Sequence, residues 1–208
     1  ITAAASTTNG FHALTAANAN LLETHASQEQ IETWVPRLRT GEFAGTMALS
    51  EPQAGSSLAD MRTKAVAQDD GTYRIFGNKI WISGGDHELS SNIVHAVLAR
   101  IEGAPPGVKG ISMFICPKFL LNEDGSVGAR NDVQLAGLFH KMGGRGQTST
   151  ALNFGEGEGA VAYLVGEPHQ GLRYMFHMMN EARVMVGTSG ATLAMAGYQY
   201  SLDYAKER

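Results

Sequence analysis

The chain has 208 residues, of which 43% are hydrophobic and 17% charged, a composition typical of a globular protein with a buried core. Sixteen basic residues against 20 acidic residues give a formal net charge of -4, which leaves no basic field to neutralise a phosphate backbone. The single cysteine, Cys116, excludes an internal disulfide framework, and no apolar stretch is as long as a membrane span. We therefore expect a soluble, cytoplasmic protein with no nucleic-acid partner and no membrane span.

Two helices are predicted between about residues 15 and 38, where Ala, Leu, Glu and Gln dominate and apolar residues recur at helical spacing. Ser27 precedes Gln28–Gln30 as a cap-like start for the second helix. The helical pattern ends after Thr40 and Gly41.

Strands are predicted from residue 43 to residue 167, where short runs of β-branched and aromatic residues alternate with turn residues. Asp70–Gly71 favours a hairpin between Arg62–Gln68 and Thr72–Ser83. The number and spacing of these strands predict a closed or nearly closed antiparallel barrel.

The last segment, residues 168–208, is predicted to be helical and contains small residues that let helices pack closely in a bundle. The fold class is therefore α+β, an antiparallel β-barrel flanked by helical segments. Ile1 is not a methionine, and the last helical segment lacks a terminating glycine or proline, so we expect a piece of a longer protein.

The segment ALSEPQAGSS, residues 48–57, is predicted to be a strand that ends in a polar turn. Pro52 and Gly55 stop the strand ladder and leave backbone N–H groups at the rim of the barrel. The hydroxyls of Ser50, Ser56 and Ser57 lie in the same segment, so an anionic or carbonyl-rich ligand is one prediction. The alternative is a hydroxyl-rich surface turn.

A second segment, NKIWISGG, places Trp81 and Ser83 on one face of a strand and Ile80 and Ile82 on the other. A flat aromatic ring and a hydroxyl that point the same way at the end of a strand suit a planar ligand. The alternative is a core tryptophan, the usual position of Trp in a strand.

These two motifs, with further segments along the chain, resemble the acyl-CoA dehydrogenase family. GISMFICPK, HKMGGRGQTSTALNF and YLVGEPHQGLRYMFHMMNEAR support the resemblance. The residues around Lys64, Asn92–His95, Leu98–Arg100 and Gly166–Pro168 are most similar to the branch that contains methylmercaptopropionyl-CoA dehydrogenase. The resemblance implies the end of an N-terminal helical domain (1–42), a middle β-barrel domain (43–167) and the start of a C-terminal helical bundle (168–208).

The resemblance also implies an FAD-dependent oxidation of an acyl-CoA thioester to a 2-enoyl-CoA, as in fatty acid metabolism. The implied FAD-binding residues are Met47, Leu49, Ser50, Gly55, Ser56, Trp81, Ser83 and Arg208. The implied substrate-binding residues are Ser56, Asn180 and Arg183, and Arg208 is implied to reach the cofactor of a neighbouring subunit. Ser57 stands where the family usually has Asp, so the loop conformation that this Asp fixes is not implied here.

No catalytic residue is expected in the chain itself. The family removes the α-proton of the substrate with a glutamate, which in some members directly precedes the arginine matched by Arg183. Here that residue is Ala182, and Glu181 points about 100° away around the helix. We therefore predict a catalytic glutamate beyond Arg208.

Arg183 shares one helical face with Phe176 and Met179. This pattern predicts a buried guanidinium group beside an anion or a stacked ring, with an interhelical ion pair as the alternative.

Three other functions stay open: an acyl-CoA oxidase, which passes electrons to oxygen, a non-catalytic flavin-binding homologue, and a barrel binding module without flavin. For the dehydrogenase, the resemblance implies an acyl-CoA substrate, an electron-transfer flavoprotein or similar acceptor, and a homodimer or homotetramer. The seven histidines include no HxxxH or HxH pair, so no metal site is expected.

Overall fold

The structure, a computed structural model, describes residues 6–208. Across these residues two helices are followed by ten strands and one long helix. The helices are α1 (Ser6–His25), α2 (Gln28–Thr40) and α3 (Gly171–Glu207). The strands are β1 (Phe43–Ala48), β2 (Lys64–Ala67), β3 (Tyr73–Ser83), β4 (Asn92–Ile101), β5 (Ile111–Pro117), β6 (Phe119–Leu121), β7 (Val127–Arg130), β8 (Val133–Leu138), β9 (Ser149–Phe154) and β10 (Ala160–Leu164). This order confirms the predicted α+β class, while Ile1 lies outside the described residues.

The two N-terminal helices pack against the outside of the barrel. The predicted cap of α2 is confirmed, because the Ser27 hydroxyl accepts the Gln30 N–H and the Gln30 side chain accepts the Ser27 N–H. Leu21, Leu22 and Trp34 are buried in the core that these helices share with the barrel strands. α1 already includes Ser6, well before the predicted start, because the Thr, Asn and Gly residues there are weak helix formers and gave no sequence signal.

Five strands close a ring in the order β4, β5, β10, β3 and β2, with β2 paired again to β4. β1 lies beside β4, while β9 and β8 extend the sheet from β3. The predicted barrel is therefore confirmed, but its pairing is not antiparallel throughout, since β1 and β2 both run parallel to β4. The cause is the loop of residues 49–63, which leaves the end of β1 and returns to the same edge of β4 as β2.

The structure contains three strands that the sequence pattern did not predict, β6, β7 and β8. β6 and β7 form a small separate hairpin, and β8 pairs with β9 at the end of the main sheet. Most residues of β7 and β8 are exposed, so neither strand shows the apolar alternation of a half-buried strand. The hairpin predicted at Asp70–Gly71 is confirmed between β2 and β3, with Gly71 at a φ of 83°.

α3 begins in direct contact with the barrel. A Cβ atom on Gly171 would overlap the Ser112 carbonyl carbon of β5, so only glycine permits this approach. The first part of α3 buries Tyr174, Met175 and Met178, whereas most residues after Ala182 are exposed. The predicted helical bundle stays a prediction, since a single helix represents it here. None of the described helices has the length and hydropathy of a membrane span.

Gly171→Ala should destabilise the chain by about 1–3 kcal/mol, because the added methyl group would clash with the β5 backbone. Gly187→Ala is the matched control on the same helix, since nothing lies within 4 Å of its added Cβ. This control should be neutral or stabilising by up to about 1 kcal/mol. Urea unfolding of both variants measures the difference, and equal stabilities would show that α3 does not need the close approach.

Candidate functional site

The loop of residues 49–63 is closed at its base by Glu51. The carboxylate accepts the N–H groups of Arg62 and Thr63 at 2.7 and 3.0 Å. It also accepts the Lys79 ammonium group of β3 at 3.0 Å. The Glu51 carboxylate therefore joins the two ends of the loop through backbone donors and binds the loop to β3 through an ion pair.

Lys79 and Ile80 hold the ALSEPQAGSS segment against the NKIWISGG segment. Lys79 Nζ donates to the Leu49 carbonyl at 2.9 Å, and the Ile80 N–H donates to the Ser50 carbonyl at 2.9 Å. Residues 49–51 are thus held against residues 79–80, and Trp81 comes directly after this contact.

The Lys79–Glu51 pair is buried although both side chains are charged. The Lys79 and Glu51 side chains are 0% and 2% exposed. Burial lowers the pKa of Lys79 to about 8, against the opposing effect of the Glu51 carboxylate. Burial would raise the pKa of Glu51, but the Lys79 charge and the hydrogen bonds from Arg62 and Thr63 hold it below its ordinary value. Both groups are therefore charged at neutral pH.

Trp81 is not a core tryptophan. The register between β3 and β9 shifts between Lys79 and Ile82, which marks a β-bulge. Trp81 lies in this bulge with a φ of 61°, rare for a residue other than glycine, and is 58% exposed. Its indole packs on the Phe139 ring with a centroid distance of 3.8 Å and a tilt of 38°. A large aromatic ring is therefore held at the surface in a strained backbone conformation, which is a feature of functional sites.

The residues beside Trp81 follow the predicted pattern in part. Ile82 is buried at 1% exposure, and Ser83 is half-buried. Ile80 is half-buried rather than fully buried, because the bulge interrupts the simple alternation of the strand.

A groove of about 410 Å³ lies between the loop and α3. It is lined by Leu49, Gly55, Ser56, Ser57, Leu58, Val108, Leu172, Phe176, Met179 and Arg183. The structure thus places the predicted loop residues Leu49, Gly55 and Ser56 opposite the predicted Arg183. Gly55 also lies next to Ser50, since a Cβ on Gly55 would be 3.9 Å from the Ser50 hydroxyl oxygen.

A second, almost entirely apolar groove of about 350 Å³ adjoins the first. It is lined by Met47, Met179, Ala182, Arg183 and Val186. Met179 and Arg183 line both grooves, so the two form neighbouring compartments along one side of α3.

Arg183 is exposed among the described residues, where a single helix represents the predicted bundle, so the predicted burial of its guanidinium group stays a prediction. α3 buries its Tyr174 and Met178 side, which leaves Arg183 on the open groove. Its guanidinium donates to Asn180 Oδ1 at 2.9 Å and lies 5.6 Å from the Phe176 ring centroid. The predicted stacked ring is therefore present, and the two predicted substrate residues of α3 contact each other.

Glu181 faces away from both grooves. Its two carboxylate oxygens accept the Asn20 side-chain N–H groups of α1 at 2.9 Å each, and His177 Nε2 is 3.4 Å away. Ala182 lines the apolar groove instead. Among residues 6–208, no carboxylate lines either groove, so neither contains a group of the kind that removes an α-proton.

Arg208 lies far from the other predicted FAD-binding and substrate-binding residues of the same chain. It ends α3, and its guanidinium lies over the Tyr204 ring at 5.6 Å. The helical rise separates it from Arg183 by roughly 37 Å.

The sequence interpretation missed Glu51, Lys79 and Phe139. A signal for Lys79 was present, because this lysine directly precedes the apolar residues of a predicted strand, KIWI. A lysine buried in such a strand requires a partner. No comparable signal marked Phe139, since its contact with Trp81 joins residues far apart in the chain. Ser57 lies on the groove, and Glu51 rather than residue 57 closes the loop.

Comparison with known proteins identifies the family. The family model "Acyl-CoA dehydrogenase, middle domain" matches residues 46–156, which include most of the barrel and both motifs. The chain therefore belongs to the acyl-CoA dehydrogenase family.

Individual relatives are similar to the chain over most of its length. The 3-methylmercaptopropionyl-CoA dehydrogenase of Ruegeria pomeroyi is 48% identical over 88% of this chain and 30% of its own length. A butyryl-CoA dehydrogenase of Syntrophomonas wolfei is 42% identical over 95% of the chain and 33% of its own length. The crystal structure of an acyl-CoA dehydrogenase from Geobacillus kaustophilus is 27% identical, with a TM-score of 0.71 over 91% of this chain and 46% of that one. The chain spans about a third of the length of the curated relatives that it matches first.

Glu51→Gln should destabilise the chain by about 3–5 kcal/mol, because it leaves Lys79 buried without its counter-charge. The double variant Glu51→Gln/Lys79→Met should lose less free energy of unfolding than the sum of the losses in the two single variants.

The stability should also depend on pH. The pKa of Glu51 is lowered in the folded state, so the stabilisation from its charge is present above the unfolded pKa of about 4.5 and is lost as the pH falls further. Urea unfolding from pH 3 to pH 7 measures this, and additive losses would contradict a coupled pair.

Proposed function

We propose that the protein is part of an FAD-dependent acyl-CoA dehydrogenase that oxidises an acyl-CoA thioester to the 2-enoyl-CoA. The proposal depends on the exposed Trp81 ring, which lies in a strained bulge. Trp81 directly follows Ile80, whose N–H donates to the Ser50 carbonyl. Family membership and the two adjoining grooves support the same function.

The residues around Trp81 fit a flavin. Phe139 packs on the indole, and the tryptophan remains 58% exposed and able to stack on a planar ring. In the described part of the chain, the Ser50 N–H donates to no other group, so it is available to a ligand atom. We assign contacts with the flavin or its diphosphate to Met47, Leu49, Ser50, Gly55, Ser56, Trp81 and Ser83. Neutral hydroxyls and backbone donors suit a flavin and a pyrophosphate.

When bound, FAD supplies the hydride acceptor that the protein itself lacks. Asn180 and Arg183 hold the polar CoA portion at the groove, with Arg183 oriented by Asn180 and Phe176. Ser56 contacts the same ligand from the opposite wall. The apolar neighbouring groove receives the acyl chain. The carboxylate that removes the α-proton comes from a glutamate beyond Arg208.

The remaining assignments follow from the same proposal. Residues 1–42, 43–167 and 168–208 are parts of an N-terminal helical, a middle barrel and a C-terminal helical domain. The protein acts in the cytoplasm as a homodimer or homotetramer, in which Arg208 reaches the FAD of a neighbouring subunit. An electron-transfer flavoprotein or a similar carrier accepts the electrons. Peroxide formation that matches turnover would instead identify an acyl-CoA oxidase.

Full-length protein purified under mild conditions should absorb near about 450 nm, where oxidised flavins absorb, and acyl-CoA should bleach this band. Trp81→Ala should weaken FAD binding about tenfold because it removes the stacking surface, whereas Trp81→Phe keeps a ring and should weaken it less. Reconstitution of the apoprotein with FAD measures both affinities. A colourless wild-type protein, or equal affinities for all three proteins, would contradict the proposed flavin site.

Arg183→Gln should raise the KM for acyl-CoA about tenfold with a smaller change in kcat, because it removes a binding contact remote from the reacting carbons. Arg173→Gln is the control, since Arg173 is exposed on the same helix but does not line the groove. Steady-state kinetics of the full-length enzyme with an artificial electron acceptor provide the measurement. Equal KM values for both variants would remove Arg183 from the substrate site.

A further inference from the structure

We propose that Lys79 is a positioning residue for the flavin. Its buried ammonium group donates to the Leu49 carbonyl and thereby strengthens the Ser50 N–H as a hydrogen-bond donor. The stronger donor favours an electron-rich ring in front of Ser50. This inference rests on the proposed function.

The inference begins with the geometry of the peptide group that joins Leu49 and Ser50. The Leu49 carbonyl and the Ser50 N–H belong to the same planar trans peptide and point in opposite directions. The carbonyl accepts Lys79 Nζ at 2.9 Å inside the protein. The N–H therefore points away from the buried lysine, and Ser50 itself is partly exposed.

The charge on Lys79 acts through that peptide. Hydrogen bonds to both ends of a peptide group polarise one another, and a charged donor strengthens the effect. Lys79 is 0% exposed, so water does not screen its charge from the peptide. The Ser50 N–H is consequently a stronger donor than an ordinary backbone amide.

The Glu51 carboxylate, 3.0 Å from Lys79 Nζ, offsets part of this charge. Its negative charge is shared among Lys79, the N–H groups of Arg62 and Thr63, and the Gln53 side chain at 2.6 Å. The Leu49 carbonyl, in contrast, receives the ammonium group directly.

One of the two anchors of Ser50 does not depend on the Lys79 charge. The Ile80 N–H donates to the Ser50 carbonyl at 2.9 Å, so the peptides on both sides of Ser50 are anchored to consecutive residues of β3. Trp81 follows at once, and the same strand segment therefore positions both the stacking ring and the donor.

The test uses the full-length flavoprotein and the double variant Glu51→Gln/Lys79→Met, which removes both charges together. The amide that replaces the Glu51 carboxylate retains an oxygen that accepts the Arg62 or Thr63 N–H, so this variant folds more readily than Lys79→Met alone. Lys64→Met is the matched control, because Lys64 is exposed on β2. The measurements are the FAD dissociation constant of each apoprotein and the midpoint potential of the bound flavin against reference dyes, with urea unfolding as a check of folding.

We expect the double variant to bind FAD about fivefold more weakly and to hold a flavin with a more negative midpoint potential. Lys64→Met should match the wild type in both measurements. A folded double variant with an unchanged midpoint potential would overturn the inference whatever its FAD affinity, because displacement of the loop alone would also weaken binding. In that case wild-type protein that carries flavin would leave the proposed function intact, whereas wild-type protein without flavin would overturn both.

Discussion

The buried ion pair between Lys79 and Glu51 is the interaction on which the rest of the candidate site depends. Residues 49–63 leave the barrel as a long loop between two strands that run along the same edge of β4. Without an anchor, a loop of this length has no fixed position relative to β3. Glu51 joins the two ends of the loop and binds β3 through Lys79, which adds a bond to the Leu49 carbonyl. The buried charge pair, together with the bond from the Ile80 N–H to the Ser50 carbonyl, thus fixes the start of the hydroxyl-rich turn against β3.

The same contact explains the unusual position of Trp81. β3 is held by Lys79 and Ile80 on one side and resumes its pairing with β9 at Ile82. The bulge between these points turns the tryptophan outward at a positive φ, which costs backbone energy that the surrounding pairings offset. A ring of this size would stabilise the protein more in the core. Its exposure instead leaves the ring open to stacking with a planar group.

α3 supplies the opposite wall of both grooves, and its position depends on close backbone packing. Gly171 contacts β5, and Tyr174 and Met178 are buried, so the beginning of the helix is fixed relative to the barrel. Asn20 of α1 holds Glu181, which keeps that carboxylate away from the grooves. The helical phase then places Ala182 and Arg183 on the groove side. The two grooves are thus a consequence of how one helix is docked.

Local sequence determined the helix–barrel–helix order, the cap at Ser27, the turn at Asp70–Gly71 and the two motifs, because each depends on residues near one another in the chain. It also placed Ala182 and Glu181 on different sides of α3, since helical periodicity is a local property. Only the tertiary structure decided the parallel pairing of β1 and β2, the bulge at Trp81, the Phe139 contact and the exposure of Arg183. These features depend on which distant segments meet, and strand register and burial are set by long-range packing that a local pattern does not encode.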